Sequence, residues 1–171
     1  MLDGLGIDFE IITKEVDEKF PLHLKKEKIP LYLCLKKAEA FKKEIKKNTL
    51  IITADTIVWL NNMAVNKPAN REEAEKMLKA LSGKKHKVFT AVCLKSKEKT
   101  RSFFDETDVY FKKLSMEEID YYIDKYKPYD KAGAYGAQEF IGYIGIEKIK
   151  GSYFNVMGLP VRRVYEELLR W

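Results

Sequence analysis

The sequence predicts an α/β domain with a mixed sheet, helices on its flanks and a cleft. Three observations predict it. Strand-like apolar runs at Leu50 to Leu60, Lys87 to Leu94 and Ser102 to Phe111 alternate with stretches of helical period. Two of those stretches open on capping signals, Asn70 with Glu72 and Glu73, and Ser115 with Glu117 and Glu118. The 171 residues suffice for one domain to bury a core.

The elements follow in order. Gly6 to Ile11 alternates and predicts a first strand, and Pro21 and Pro30 bracket a polar loop. Leu31, Leu35, Ala38, Phe41 and Ile45 fall at helical spacing, with Asn48 as the stop. The run Leu50 to Leu60 predicts a buried strand that turns at Asn61-Asn62 into a short return, Met63 to Val65. A helix from Asn70 ends at Ser82-Gly83. The next two strands flank a charged turn, Lys95 to Arg101, and predict an antiparallel hairpin. The helix after Ser115 points Ile119, Tyr122 and Ile123 inward. Ile144 to Ile149 reads as a strand, and Pro160 opens a last helix that runs toward Trp171. With no repeat, low-complexity segment or linker, residues 1–171 read as a single domain.

Composition narrows the class. Hydrophobic content of 46% and aromatic content of 12% indicate a globular chain. Cys34 and Cys93 lie far apart in apolar contexts, as buried thiols of a reducing compartment do. No run reaches the roughly 18 apolar residues of a membrane span, and the first residues lack a signal-peptide pattern. The expected location is cytoplasmic. The net charge of +6 suits polyanions, but Lys42, Lys43, Lys46 and Lys47 interleave with Glu39 and Glu44 as a solvated face does. Nucleic acid is therefore not the expected partner, and no RNP-type aromatic motif or zinc module supports one.

The chemistry rests on acids and lysines. The P-loop and the dinucleotide glycine fingerprint are both absent. His23 and His86 are isolated, which excludes a two-histidine zinc site and a histidine triad; His86 reads as a turn residue. Ala54-Asp55-Thr56 closes the run from Leu50, and Lys67-Pro68 follows about a dozen residues later. An acid at a strand end with a lysine nearby suits phosphate chemistry: one holds a metal or activates water, the other takes anionic charge. Asp55 and Glu18 are the expected carboxylates for a divalent cation, Mg²⁺ or Mn²⁺, with Lys37 and Lys67 as phosphate partners. The Gly133 and Gly136 amides could approach the ligand closely. Gln138 could read a base edge, having both donor and acceptor. Lys131 either binds phosphate or pairs with Asp55 or Asp130. Asp130 and Asn155 read as supporting residues, and Tyr135, Tyr153 and Trp59 as core.

Taken together, Leu5-Gly6-Ile7-Asp8-Phe9, Asp17-Glu18, Lys37-Ala38, Ala54-Asp55-Thr56-Ile57-Val58, Lys67-Pro68, Leu81-Ser82-Gly83 with His86, Asp130 to Tyr135, Gln138, Gly151-Ser152-Tyr153, Asn155 and Gly158-Leu159-Pro160 resemble the Maf family of nucleoside triphosphate pyrophosphatases. The resemblance runs through essentially the whole chain in the family's order. It implies a two-lobed, ITPase-like fold with a cleft between the lobes. It implies hydrolysis between the α and β phosphates, giving a monophosphate and pyrophosphate. The family's base or metal carboxylate falls on Asp55, its other acid on Glu18 and its phosphate lysines on Lys37 and Lys67. Thr56 and Gln138 fall at positions linked to base choice in the dTTP and UTP branch, with modified pyrimidine nucleotides as further candidates. The 7-methyl-GTP branch has a Glu where this chain has Gln138. The resemblance also implies a homodimer.

One departure stands out. Family members begin with a strand and a Ser-x-Ser-x-Arg-Arg loop, whereas this sequence starts inside the helix that follows. The expectation for the chain as given is weak or no turnover. The alternative function is a non-catalytic nucleotide-binding regulator linked to cell division and septum formation.

Overall fold

The computed structural model describes residues 1–171. Five strands form one sheet in the order β2-β1-β3-β4-β5, with β1 at Ile51–Leu60, β2 at Met63–Val65, β3 at Lys85–Lys95, β4 at Thr100–Phe111 and β5 at Ile146–Lys150. Every pairing is antiparallel, which corrects the expected mixed sheet. The connections explain it. A two-residue turn at Asn61 and Asn62, both with positive φ, returns β1 into β2, and a short charged turn joins β3 to β4. The helical crossover between β2 and β3 returns the chain antiparallel to β1.

Six helices flank the sheet: α1 at Lys28–Ala40, α2 at Arg71–Leu81, α3 at Met116–Tyr126, α4 at Phe140–Gly145, α5 at Tyr153–Val156 and α6 at Val161–Leu169. The caps sit where the sequence placed them. Asn70 accepts from the Glu73 amide at 2.9 Å. Ser115 and Glu118 close a reciprocal capping box. Helix α1 starts and ends earlier than its periodicity suggested. Pro30 lies in its first turn, where a missing N–H costs no helical bond. After Ala40 the lysine-rich stretch has little apolar surface to bury, and the chain leaves the helix at Phe41.

The predicted strand at Gly6 to Ile11 does not form. Gly6 takes φ 66° after a short 3₁₀ turn, and the side chains beyond stay exposed, Phe9 at 46% and Ile11 at 82%. Alternation makes a strand only where a neighbouring strand takes up its backbone bonds.

The two faces of the sheet carry different layers. On one, α1 covers Ile57, Trp59, Phe89, Ala91 and Cys93 with Ile29, Leu33, Cys34 and Ala38. On the other, two apolar groups pack side by side. The larger gathers Val58, Leu60, Val88 and Val109 beneath α2, α3 and α4. The smaller gathers Val92, Leu94 and Phe103 beneath α6. No helix is long and apolar enough to cross a membrane.

Candidate active site

The cleft opens on the second face, between the two apolar groups. It encloses about 230 Å³. Ala54, Thr56, Val58 and Val88 of the sheet line it, with Tyr135 to Gln138 on one side and Val156 to Gly158 on the other. A second hollow of about 440 Å³ adjoins it, sharing Asp55, Thr56, Lys67 and Ala132 and including Glu18.

Four of the expected residues meet at the margin of these hollows as a chain of alternating charge. Lys37, near the end of α1, donates to Asp55 Oδ1 at 2.5 Å and lies 2.9 Å from Glu18 Oε1. Lys67 donates to Glu18 Oε2 at 2.6 Å. Asp55 is buried on β1, whereas Glu18 comes from the irregular segment before α1 and is held by both lysines. Their environments part their acidities. Burial pushes the Asp55 carboxyl up, and the neighbouring Lys37 offsets this only in part. For Glu18, burial also acts upward, but the bonds from Lys67 and Lys37 outweigh it and hold the carboxyl below its ordinary range. Burial works against the Lys37 ammonium, yet Asp55 and Glu18 outweigh it and keep the charge.

Two carboxylates on one ammonium form a hard-oxygen donor set. Carboxylate oxygens of this kind are the donors Mg²⁺ takes, one or two at a time, with water and substrate phosphate at its other positions.

Gln138 and Thr56 both line the cleft. Lys131 lines it too, but its ammonium is 2.9 Å from Asp130 and 3.1 Å from Glu139 and does not pair with Asp55. Burial opposes the Lys131 charge, and these two acids outweigh it. The Gly133 and Gly136 amides are already engaged, which corrects their expected role. Gly133 donates to Asn66 at 3.1 Å, and Gly136 to the Tyr122 hydroxyl at 3.0 Å. Tyr122 in turn donates to Glu139, so one network from α3 holds the segment that carries Lys131 and Gln138.

Two glycines shape that segment. Gly133 has φ 72°, and a Cβ there would stand 3.0 Å from Val58. At Gly142 a Cβ would collide with the Ala137 carbonyl, backbone against backbone.

His86 is not a turn residue. It lies on β3, buried, with Nε2 2.8 Å from the Tyr135 hydroxyl and its ring edge-on to Phe111 and Tyr135. Burial pushes its pKa down to about 4, so the ring is neutral. The signal was available: His86, Val88, Thr90, Val92 and Leu94 alternate on one face of the strand, all buried. Tyr135 and Trp59 are core, as expected, but Tyr153 is exposed. Sequence reasoning missed Thr90, a buried residue whose hydroxyl meets that of Thr56 at 2.9 Å.

A family model described as Maf-like protein matches residues 1–171. A dTTP/UTP pyrophosphatase of Parabacteroides distasonis is 54% identical over 169 residues, which cover 98% of this chain and 88% of its own length. Proteins of the same description from Phocaeicola vulgatus and Bacteroides thetaiotaomicron are 54% and 51% identical over the same shares. A match across every residue, with such relatives along nearly the whole length, means that the chain belongs to the Maf family.

Proposed function

We propose that this chain is a nucleoside triphosphate pyrophosphatase that converts dTTP and UTP to the monophosphate and pyrophosphate. The relatives so described support the substrate. The observation that carries the chemistry is the alternating row Asp55, Lys37, Glu18, Lys67 beside a cleft that also holds Thr56 and Gln138. In this reading the two apolar groups act as two lobes, with the triphosphate at the charged margin and the base between them.

Asp55 and Glu18 would hold the divalent cation, Mg²⁺ or Mn²⁺. When bound, that ion supplies neutralising charge to the phosphate oxygens. The rest falls to the chain's own residues. Asp55, its proton affinity raised by burial, orients a water and takes its proton as the oxygen attacks the α phosphorus. Lys37 and Lys67 turn from their carboxylates toward the triphosphate and stabilise the charge that collects on the departing pyrophosphate. Gln138 and Thr56 face the base.

The test is pyrophosphate release from dTTP, UTP, CTP and 7-methyl-GTP with Mg²⁺ or Mn²⁺. Release above background, weak as the sequence leads one to expect, is the outcome for dTTP and UTP, and Asp55→Asn should lower it by a further factor of about 10²–10⁴ while the variant still melts cooperatively. An Asp55→Asn protein that keeps most of its turnover refutes the role of that carboxylate. Tight triphosphate binding with no release by the unaltered chain would favour the non-catalytic regulator.

A further inference from the structure

Behind Thr56, the sheet beneath the cleft carries buried polar groups that the reaction above does not use. Thr56 of β1 and Thr90 of β3 are partners across the ladder, with their Oγ1 atoms 2.9 Å apart. Thr90 is fully buried, and its Oγ1 lies 2.7 Å from the backbone carbonyl of Asn155. A carbonyl only accepts, and a hydroxyl has one proton. Thr90 therefore donates to Asn155 and must accept from Thr56. The Asn155 carbonyl also accepts from the Gly158 amide at 3.1 Å, which ties the turn on the far wall of the cleft to the same point. The Asn155 side chain is anchored in its turn, donating through Nδ2 to the Val88 carbonyl at 3.1 Å and to Thr107 Oγ1 at 2.9 Å.

The donors thus run one way, from the cleft wall into the core. Thr56, with its proton turned toward Thr90, offers only lone pairs to the cleft. Gln138 differs, because its amide can turn to present either a donor or an acceptor. The cleft wall thus offers one polar side chain that adapts and one that does not.

We propose that Thr90 is a positioning residue for base selection. It fixes the Thr56 hydroxyl as an acceptor, so the cleft favours a pyrimidine whose N3 carries a proton, uracil or thymine, over cytosine, whose N3 is a lone pair. The inference rests on the pyrimidine triphosphate pyrophosphatase reading of this site. Its physical basis is that a lone pair facing a lone pair in a partly buried site leaves both unpaired. A site built around a hydrogen bond discriminates through that loss.

The experiment measures kcat/KM for UTP and CTP in the unaltered chain, Thr90→Val and Thr90→Ser, with thermal melting of each. The unaltered chain should prefer UTP. In Thr90→Val the Thr56 proton is released to turn into the cleft, and the UTP-to-CTP ratio should fall about tenfold. Thr90→Ser keeps the hydroxyl and should restore the ratio. A merely structural role for Thr90 lowers both nucleotides alike; an unmoved ratio in folded Thr90→Val overturns the proposal. Should Thr90→Val fail to fold, Thr90→Cys, of similar volume and weak hydrogen-bonding power, is read by the same ratio. An unaltered chain that turns over both nucleotides without preference overturns the proposal alone. One that releases pyrophosphate from neither overturns the pyrophosphatase reading, and this inference with it.

Discussion

On the α1 side of the sheet, Ile57, Trp59, Phe89, Ala91 and Cys93 make an apolar surface that a single helix covers, and Asp55 stands at its margin. On the opposite side the same strands bear two apolar groups, with Thr56, Thr90, Thr107 and the buried Asn155 between them. A mainly apolar face is satisfied by one helix that lays its apolar residues on it. A face interrupted by buried polar atoms is not, because each needs a hydrogen-bonding partner. Here the partner is the short helix α5 with its cap Ser152, whose backbone meets Thr90 and Thr107. The interruption keeps the two groups apart, and the cleft is the space between them. One side of the sheet thus ends in the charged row, while the other holds the directional groups.

That contrast can be broken from the packed side first. Phe89→Ala removes a buried ring beneath α1 and should lower stability by about 3–5 kcal/mol in urea unfolding. A loss within experimental error would mean that α1 is not sealing that face.

The pH dependence of stability sharpens the other side. Burial holds the His86 ring at about 4, against an ordinary value of 6.5. Its depressed folded pKa means that the unfolded chain takes up the proton first as pH falls. The stabilisation is complete above about 6.5 and drains away between about 6.5 and 4, with a loss of about 3 kcal/mol. Urea midpoints for the unaltered chain and His86→Gln, taken at pH 7.5 and 4.5, separate this from the titrating carboxylates. The gap between the two proteins should narrow at the acid end; a gap independent of pH would mean that His86 does not report the burial of that face.

The smallest effect is expected at the polar row. Asn155→Ala strips a donor from the Val88 carbonyl and from Thr107 and should cost about 1–3 kcal/mol, less than Phe89→Ala. If Asn155→Ala proves the more damaging in the same unfolding series, hydrogen bonding and not packing dominates both faces.

Much of this architecture could be read from residue order. Asn70 with Glu73, and Ser115 with Glu118, announced two helices because caps are local chemistry. The acid on β1 and the lysines at positions 37 and 67 could be singled out from residue type and spacing, and the fold brings them to one place with Glu18. What sequence did not disclose depends on pairing. The alternation at Gly6 to Ile11 has the pattern of a strand but no neighbour to complete it. Thr90 looked like any β-branched strand residue until the register set it opposite Thr56. The Gly133 and Gly136 amides looked available because Asn66 and Tyr122, which accept from them, lie far away in the chain.

Gly142 has a consequence for anyone who wishes to test the proposed base-reading role of Gln138 by redesigning this pocket. The natural position to vary is Gln138, whose side chain lines the cleft. Its backbone, however, is held in shape by a contact in which the chain at Gly142 lies directly against Ala137. A library that randomises both positions would discard most of its members for a misshapen loop, and a screen on turnover would score them as failures of base recognition. Holding residue 142 as glycine separates the two, leaving Gln138 as a position where chemistry can change while the frame around it stays the same.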